Sequence, residues 1–423
     1  MSYAIKEIRQ GVKLHCIETK KFKTNLMTVV LTLPLNREKV TFNSVIPAVL
    51  KRGTRNLKTQ EDIAKKLEEM YGAEFDCGIE KIGDNHVLKF YLETLNNNFI
   101  PKDYKENLTA ESIKLLLDII FNPYLENDMF KEEYIEAEKN NIKILIESKI
   151  DNKDAYALNG CIEEMYKNKP YGLYKYGYIE DLENINAKNL YEYYKEIIAN
   201  AKIDIFFSGD INVKEIEKEV EENNNIKELV DREAKFVISK EEKTKEEIKN
   251  KEKKMDVTQG KLVIGLDVNY TGENAKFPIS IYNVILGESA TSKLFQNVRE
   301  KASLAYTARS NYIRQKSNIF IRCGIEIENF DKAQEIIKKQ LEDMKNGDFT
   351  QEDLKNAKKY MVSGIEAIQD EQDSEVTYYI GQELSEEFTT FEEYLKKIEE
   401  VTMQDVKNVA NSININTIYF LRN

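Results

Sequence analysis

The sequence predicts an α+β fold made of two tandem homologous domains, each a mostly antiparallel sheet packed with helices. Three observations carry this expectation. Segments that alternate apolar and polar residues recur between segments of helical spacing. Gly (17) and Pro (6) are few for 423 residues, and 32% of the chain is charged, which suits helices with solvated outer faces better than an all-β fold. The two halves also resemble each other, as a duplicated unit would.

The elements follow in order. Val12, Leu14 and Cys16 alternate with Lys13, His15 and Ile17, and LMTVVLTL at 26–33 is strongly β-prone, so a sheet opens the fold. Thr59 with Asp62 three residues on forms a helix-start signal; Ile63, Leu67, Met70 and Tyr71 then share one face, and Gly72 marks the stop. HVLKFYLETL at 86–95 reads as a strand, SIKLLLDIIF at 112–121 as a helix, and a long helical region runs from about 127 to 165. KEEKTKEEIKNKEKK at 240–254 is charged at 12 of 15 positions and holds one apolar residue. It cannot cover a core, so it is expected as a solvated helix or linker.

The halves on either side of that segment repeat. FKEEYIEAEKNNIKILIESKIDN from 130 lies over FTQEDLKNAKKYMVSGIEAIQDE from 349, and LENINAKNLYEYYKEIIANAKIDIFFSGD from 182 lies over IEEVTMQDVKNVANSININTIYFLRN from 398. Each half thus closes on a helix followed by an apolar strand. The expected division is a first domain at 1–238, a charged linker at 239–256 and a second domain at 257–423, whose sheet opens at QGKLVIGLDV.

Composition narrows the function. The balance of 62 Lys+Arg against 74 Asp+Glu leaves −12, so no basic face for phosphate binding is indicated and nucleic acid is not an expected partner. The cysteines at 16, 77, 161 and 323 are scattered without a CxxC pair and read as free thiols of a reducing compartment. No apolar run is long enough to cross a membrane and no export signal opens the chain, which places it in the cytoplasm. No P-loop or GxGxxG is present, so no nucleotide cofactor is implied. His15 and His86 are the two histidines, 71 positions apart. A zinc helix of the HExxH or HxxEH type, with imidazoles four residues apart, cannot be written anywhere. Both histidines lie on strand patterns and are expected to be hydrogen-bonded structural residues rather than bases.

The run NVILGESATSKLFQNVREKASLAYTARSNY at 283–312 resembles the C-terminal domain of the insulinase, or pitrilysin, family of zinc peptidases. There a small-residue turn leads into a helix ending in V-R-E-K and then a strand with L-A-Y. The family's substrate-handling arginine and tyrosine match Arg299 and Tyr306. A guanidinium and a phenol suit holding a peptide carbonyl and the oxyanion that develops on it. Without that context the two residues read as a surface Arg paired with Glu300 and a Tyr sharing a strand face with Leu304 and Ala308.

The first half departs from the family pattern. Its zinc helix has the form HxxEH followed by a lysine-glycine-threonine end, and the matching stretch here is NSVIPAVLKRGT, with Arg52, Gly53 and Thr54 at the end. Ser44, Pro47 and Ala48 therefore stand where the first histidine, the general-base glutamate and the second histidine would be. A hydrolytic zinc site takes three protein ligands and a water, and these residues supply neither imidazole nor carboxylate. The family's third ligand, a downstream glutamate, corresponds to Glu136, expected here as a leftover surface acid.

The resemblance implies no metal or cofactor on this chain, and zinc on a partner. It is similar to the non-zinc subunit of paired bacterial members of the elongation-factor P modification-associated type. In such a pair an HxxEH-containing paralogue completes a heterodimer, the domains form a clam-like chamber, and a peptide substrate is captured by strand addition. The chain is then not catalytic alone, and the alternative is a non-enzymatic scaffold or peptide-binding homologue.

Overall fold

In a computed structural model of the protein, residues 2–101, 107–238 and 247–423 are described; residues 239–246, the first part of the expected linker at 239–256, lie outside them. A first sheet holds β1 (Ser2–Arg9), β2 (Val12–Glu18), β3 (Thr24–Pro34), β4 (Glu74–Ile82), β5 (Asn85–Leu95) and β6 (Lys202–Gly209), in spatial order β1-β2-β6-β3-β5-β4. A second holds β7 (Lys249–Lys254), β8 (Gly260–Val268), β9 (Ala305–Ile313), β10 (Asn318–Ile325) and β11 (Ile413–Arg422), in order β7-β11-β8-β10-β9. The two orders correspond strand for strand, with β1 as an addition. β2 and β7 each run parallel to their neighbours β6 and β11, and the other pairs are antiparallel. The fold is α+β and repeated, as the sequence predicts.

The helices are α1 (Val40–Leu50), α2 (Gln60–Glu69), α3 (Leu108–Phe121), α4 (Glu132–Glu147), α5 (Lys153–Met165), α6 (Ile179–Leu182), α7 (Ala187–Asn200), α8 (Val213–Glu222), α9 (Asn224–Glu228), α10 (Lys276–Asn283), α11 (Phe330–Asn346), α12 (Gln351–Gln369), α13 (Gln372–Glu383), α14 (Phe391–Glu400) and α15 (Met403–Asn411). π-helical turns follow at Val284–Glu288 and Phe295–Lys301. The expected start of α2 is a full capping box: Thr59 accepts from the Asp62 N–H while Asp62 accepts from the Thr59 N–H. The long region at 127–165 is two helices, because Asn152 accepts from the Ala155 N–H and caps a new start. Residues 249–254 form the edge strand β7. Pairing with β11 uses only backbone groups, so its charged side chains stay in water, which also protects the edge.

Two compact units result, Met1–Glu147 with Leu173–Val237 and Asp370–Leu384, and Ser148–Gly172 with Ile238–Gln369 and Ser385–Asn423. Each unit therefore includes one helix from the opposite half of the sequence, α13 in the first and α5 in the second. In the second unit, Leu262, Ile264 and Leu266 of β8 and Ile319 and Ile321 of β10 join the larger core on one face. On the other face, Val263, Phe320, Tyr419 and Leu421 pack with Ala157, Cys161 and Met165 of α5. Gly160 permits this approach, since a Cβ there would sit 2.5 Å from the Tyr419 ring.

In the first unit, Val12, Leu14, Cys16, Val29, Phe90, Ile203 and Ile205 form one face of the sheet core, and α13 covers the other, burying Val376, Tyr379 and Ile380, with Tyr379 stacked on Tyr3 at 4.0 Å, and adding polar contacts. The Gln372 amide donates to the Ser208 carbonyl at 3.0 Å. Asp373 pairs with Lys89 at 2.6 Å, and Glu383 accepts from Lys13 and Lys202 at 3.0 and 3.2 Å. Between these clamps Glu375 is fully buried, with no hydrogen-bond partner for either carboxylate oxygen among the described residues.

Burial raises the Glu375 carboxyl from 4.5 to about 7, against the opposing pull of Lys21. The folded chain therefore keeps a proton that the unfolded chain has lost between pH 4.5 and 7, so this residue's contribution to stability falls as pH rises through that window. Glu375→Gln is expected to flatten the fall and to stabilise the protein at pH 8 by about 2 kcal/mol, measured by urea denaturation from pH 5 to 8.

Candidate functional site

α1 buries Thr41, Asn43, Ser44, Val45, Ile46 and Pro47, and the i, i+3, i+4 spacing brings Ser44, Pro47 and Ala48 to one cleft of about 380 Å³. Its remaining walls come from β4 (Cys77, Gly78, Ile79), α4 (Glu138, Asn141, Ile142, Ile144, Leu145) and Tyr176. The Ser44 hydroxyl donates to the backbone carbonyls of Thr41 at 2.8 Å and Tyr176 at 3.1 Å. Pro47 and Ala48 offer no donor atom. The Cys77 thiol donates to the Pro47 carbonyl at 3.2 Å, and burial pushes it up to about 12, which keeps it protonated.

The carboxylate at this cleft is Glu138, not Glu136. α4 buries Ile135, Glu138, Ile142 and Ile146 as one helical stripe, which leaves Glu136 outside it. Glu136 is exposed and pairs with Lys139 at 2.6 Å. Glu138, 1% exposed, is held by the Arg52 guanidinium and accepts from Asn141 at 3.0 Å. Both its oxygens are thus satisfied and its charge is balanced by a cation. The residues of the cleft do not fit a zinc ion: no imidazole is present, the thiol is protonated, and the single carboxylate is occupied by Arg52.

Arg299 and Tyr306 emerge from one helix-to-strand reversal in the second unit. Leu294 and Val298 are buried and seat the π-helical turn; the Ser303 and Leu304 N–H groups close it onto the Arg299 and Val298 carbonyls, both at 3.1 Å. Ser303 takes a left-handed φ of 52° to turn into β9. The Arg299 guanidinium lies over the Phe295 ring at 4.6 Å and pairs loosely with Glu300 at 3.6 Å. Tyr306 is 73% exposed. The expected shared face with Leu304 and Ala308 is not formed. Ile325 pairs with Ala305 and Gly324 with Thr307, so Tyr306 is the extra residue of a bulge, and bulges re-aim side chains. Ala308 and Ser310 turn inward while Tyr306 projects to solvent.

His15 and His86 are both fully buried. His86 is bonded to Asn43, which in turn accepts from Tyr193 at 2.8 Å; burial holds its imidazole down to about 4, so it stays neutral. His15 contacts Tyr3 at 2.8 Å and Asp204 at 3.1 Å. Sequence reasoning missed the cluster it belongs to, in which His15, Asp204 and Glu383 hold possible metal-ligand atoms within 4.8 Å. Lys202 takes the cation's place there: its ammonium donates to both Asp204 oxygens and to Glu383. Although burial alone would raise it, Asp204 is held well below the usual carboxylate range by Lys202 and His15. The available signal was the pair Lys202 and Asp204 at i, i+2 in the wholly buried strand β6.

Removing Arg52 strands a buried carboxylate. Arg52→Met is expected to cost about 2–4 kcal/mol, and the double change Arg52→Met with Glu138→Met to restore most of that loss. Chemical denaturation of the three variants checks both.

Residues 184–361 match the family described as Peptidase M16 inactive domain. The Bacillus subtilis protein described as probable inactive metalloprotease YmfF is 32% identical over 438 residues, covering 100% of this chain and 99% of that one. The uncharacterized zinc protease YmfH of the same organism is 31% identical over 158 residues, 37% of this chain and 35% of that protein. A conserved protein from Enterococcus faecalis V583 has a similar crystal structure, with a TM-score of 0.90 at 25% identity and coverage of 100% and 99%. No helix among the described residues is long and apolar enough to cross a membrane. Sequence, fold and the altered cleft together place this chain in the insulinase-like, or M16, peptidase family, as a homologue without the zinc-binding motif.

Proposed function

We propose that this chain is the non-zinc subunit of a heterodimeric insulinase-like metallopeptidase of the cytoplasm. A paralogous partner with an intact HxxEH helix supplies zinc and general base, and the domains of the two chains enclose a chamber. Arg299 and Tyr306 of this chain hold the substrate carbonyl and stabilise the oxyanion formed on it. The supporting observation is an asymmetry. The donor set of the zinc helix is gone and its residual carboxylate is sequestered by Arg52, whereas Arg299 and Tyr306 are presented to solvent from a bulged strand.

Tyr306 is set out to solvent by a bulge, and the Arg299 guanidinium, stacked over Phe295 and loosely paired with Glu300, is tied up by no close ion pair. They are instead donors available to an oxygen that gains charge during reaction. That Bacillus subtilis carries relatives of both kinds, one described as an inactive metalloprotease and one as a zinc protease, is the pattern a paired enzyme requires. Peptide is captured by adding a strand to a sheet edge, a mode that reads backbone groups first.

In the co-purified complex, Arg299→Ala is expected to lower kcat/KM for peptide hydrolysis about 100-fold and Tyr306→Phe about tenfold, with zinc content unchanged. Undiminished hydrolysis in both variants would establish the scaffold role instead. Stoichiometric zinc on the isolated chain would refute the division of labour.

A further inference from the structure

The face of the second sheet that α5 covers changes character across its width. Under α5 it is apolar, through Val263, Phe320 and Tyr419; toward β9 it is cationic. Arg309 of β9 stands directly opposite Arg322 of β10, and Gly324, two residues on, stands between Thr307 of β9 and Lys261 of β8. Residues two apart on a strand share a face, so Arg309, Arg322 and Lys261 lie on one side of the sheet. Like charges opposed across a strand pair repel. A single carboxylate answers them: Asp154, in the first turn of α5, reaches Arg309 at 3.1 Å and Lys261 at 3.4 Å. Arg322 has no ion pair among the described residues; it donates to the Asn311 amide oxygen, and its Nε is buried without a partner. Burial, and then Arg309, lower the Arg322 pKa against the weaker opposing effect of Asp154. An unpaired, partly desolvated cation is costly until an anion completes it.

Neutral donors stand beside these cations. A Cβ on Gly324 would sit 2.7 Å from Gln259 Oε1 and 3.3 Å from Thr307 Oγ1, so both side chains close over the same bare stretch of backbone. Lys261 donates to Gln259 Oε1 at 2.7 Å, which leaves the Gln259 amide nitrogen and the Thr307 hydroxyl proton unspent among the described residues. The cluster therefore offers forked and single donors together, the set that fits the two oxygens of a carboxylate. Its place on β9 is informative. Ala305, Ala308 and Ser310 are buried, whereas Tyr306, Thr307 and Arg309 are exposed, so the bulged phenol shares the solvent side of β9 with Arg309. Three residues of strand separate them by about 10 Å.

We propose that Arg309, Arg322 and Lys261 form a carboxylate subsite that takes an acidic side chain of the peptide, about three residues from the carbonyl held at Tyr306. This rests on the reading of the chain as the subunit that positions substrate, and it adds the substrate class: peptides with an Asp or Glu at a fixed distance from the cleaved bond. Asp154 occupies part of the subsite as a resident competitor, so the bound acid shares Arg309 and Lys261 with it and has Arg322 to itself. The chain carries a net charge of −12, which opposes acidic peptides at long range, and a local excess of cations selects those whose acid reaches this patch.

The test titrates end-capped, otherwise uncharged decapeptides with one central Glu or Gln into the full chain by calorimetry, with inorganic phosphate as a competitor. The co-purified complex then hydrolyses a series in which the Glu is walked along the peptide. The Glu peptide is expected to bind about tenfold tighter than the Gln peptide. Arg309→Gln and Arg322→Gln are each expected to bring the two together while leaving the Gln peptide unchanged, and Asp154→Asn, which removes the competitor, to widen the ratio. In hydrolysis, a Glu about three residues from the cleaved bond is expected to lower KM about tenfold with kcat unchanged. Equal binding of the two peptides, binding of neither, or a ratio that survives both arginine changes overturns the subsite. Phosphate that binds as tightly as the Glu peptide and displaces it assigns the cluster to a free anion and overturns the peptide class. A binding preference without a positional preference in hydrolysis overturns the link to Tyr306. If the binding ratio behaves as expected while the complex hydrolyses no peptide, the subsite stands and the peptidase reading beneath it falls.

Discussion

A sheet that is apolar or buried on both faces must be covered twice, and this requirement organises the whole molecule. β6 is buried at every position, and β8 at all but one. Helices inserted between the strands of each sheet cover one face of it. The second face receives a helix from the other half of the chain, α13 in the first unit and α5 in the second. The two loans are made in different currencies of interaction. α5 docks through Ala157, Cys161 and Met165 against Val263, Phe320 and Tyr419, which is burial of apolar area. α13 docks through Gln372, Asp373 and Glu383 against backbone and lysines. Both helices mix the two kinds of contact: α13 also buries Val376, Tyr379 and Ile380, and α5 pairs Asp154 with Arg309 and Lys261, but the ionic share is larger on α13.

Much of this was legible in the sequence, for identifiable reasons. The alternation of Val12, Leu14 and Cys16 against Lys13, His15 and Ile17 marked both faces of β2, because strand period is fixed by the pleat. The Thr59 and Asp62 capping box is a local exchange of hydrogen bonds and needs no tertiary context. The repeat of helix and strand in the two halves survives as α7 with β6 and α15 with β11. What was not legible depends on phase and on long-range pairing. Glu136 and Glu138 differ by two positions, which on a helix means opposite faces, and the buried stripe of Ile135, Ile142 and Ile146 selects the second. Tyr306 leaves its predicted face because a bulge inserts one residue into β9. Neither motif order nor composition contains a bulge.

The cleft under α1 shows how a buried helix face settles its polar groups without a metal. Ser44 donates to the Thr41 and Tyr176 carbonyls, and Pro47 and Ala48 bring no polar side chain to be satisfied. The acid that remains is the difficulty, since a carboxylate 1% exposed cannot stay charged without a partner. Arg52, at the end of the same helix, supplies a delocalised cation with two donors aimed at one carboxylate, and Asn141 completes the set. The Glu138 charge is therefore balanced within the protein, and with Lys51 also in the lining the cleft has no electrostatic demand for a further cation.

The duplicated topology carries different side chains at equivalent positions. β4 and β9 occupy corresponding edge positions in their sheets, yet they are dressed differently. β4 has acids on one face and borders, on the other, the cleft that Lys51 and Glu138 also line; β9 carries Tyr306 on a bulge, with Arg309 beside it and Arg322 directly opposite Arg309. Asp154 of α5 balances part of that positive charge through Arg309 at 3.1 Å and Lys261 at 3.4 Å. The repeated fold fixes where an edge strand must lie, and the side chains decide what each edge does with it. An edge that stabilises a reacting oxygen needs donors held outside the ladder, and a bulge is the device that frees one without unfolding the strand.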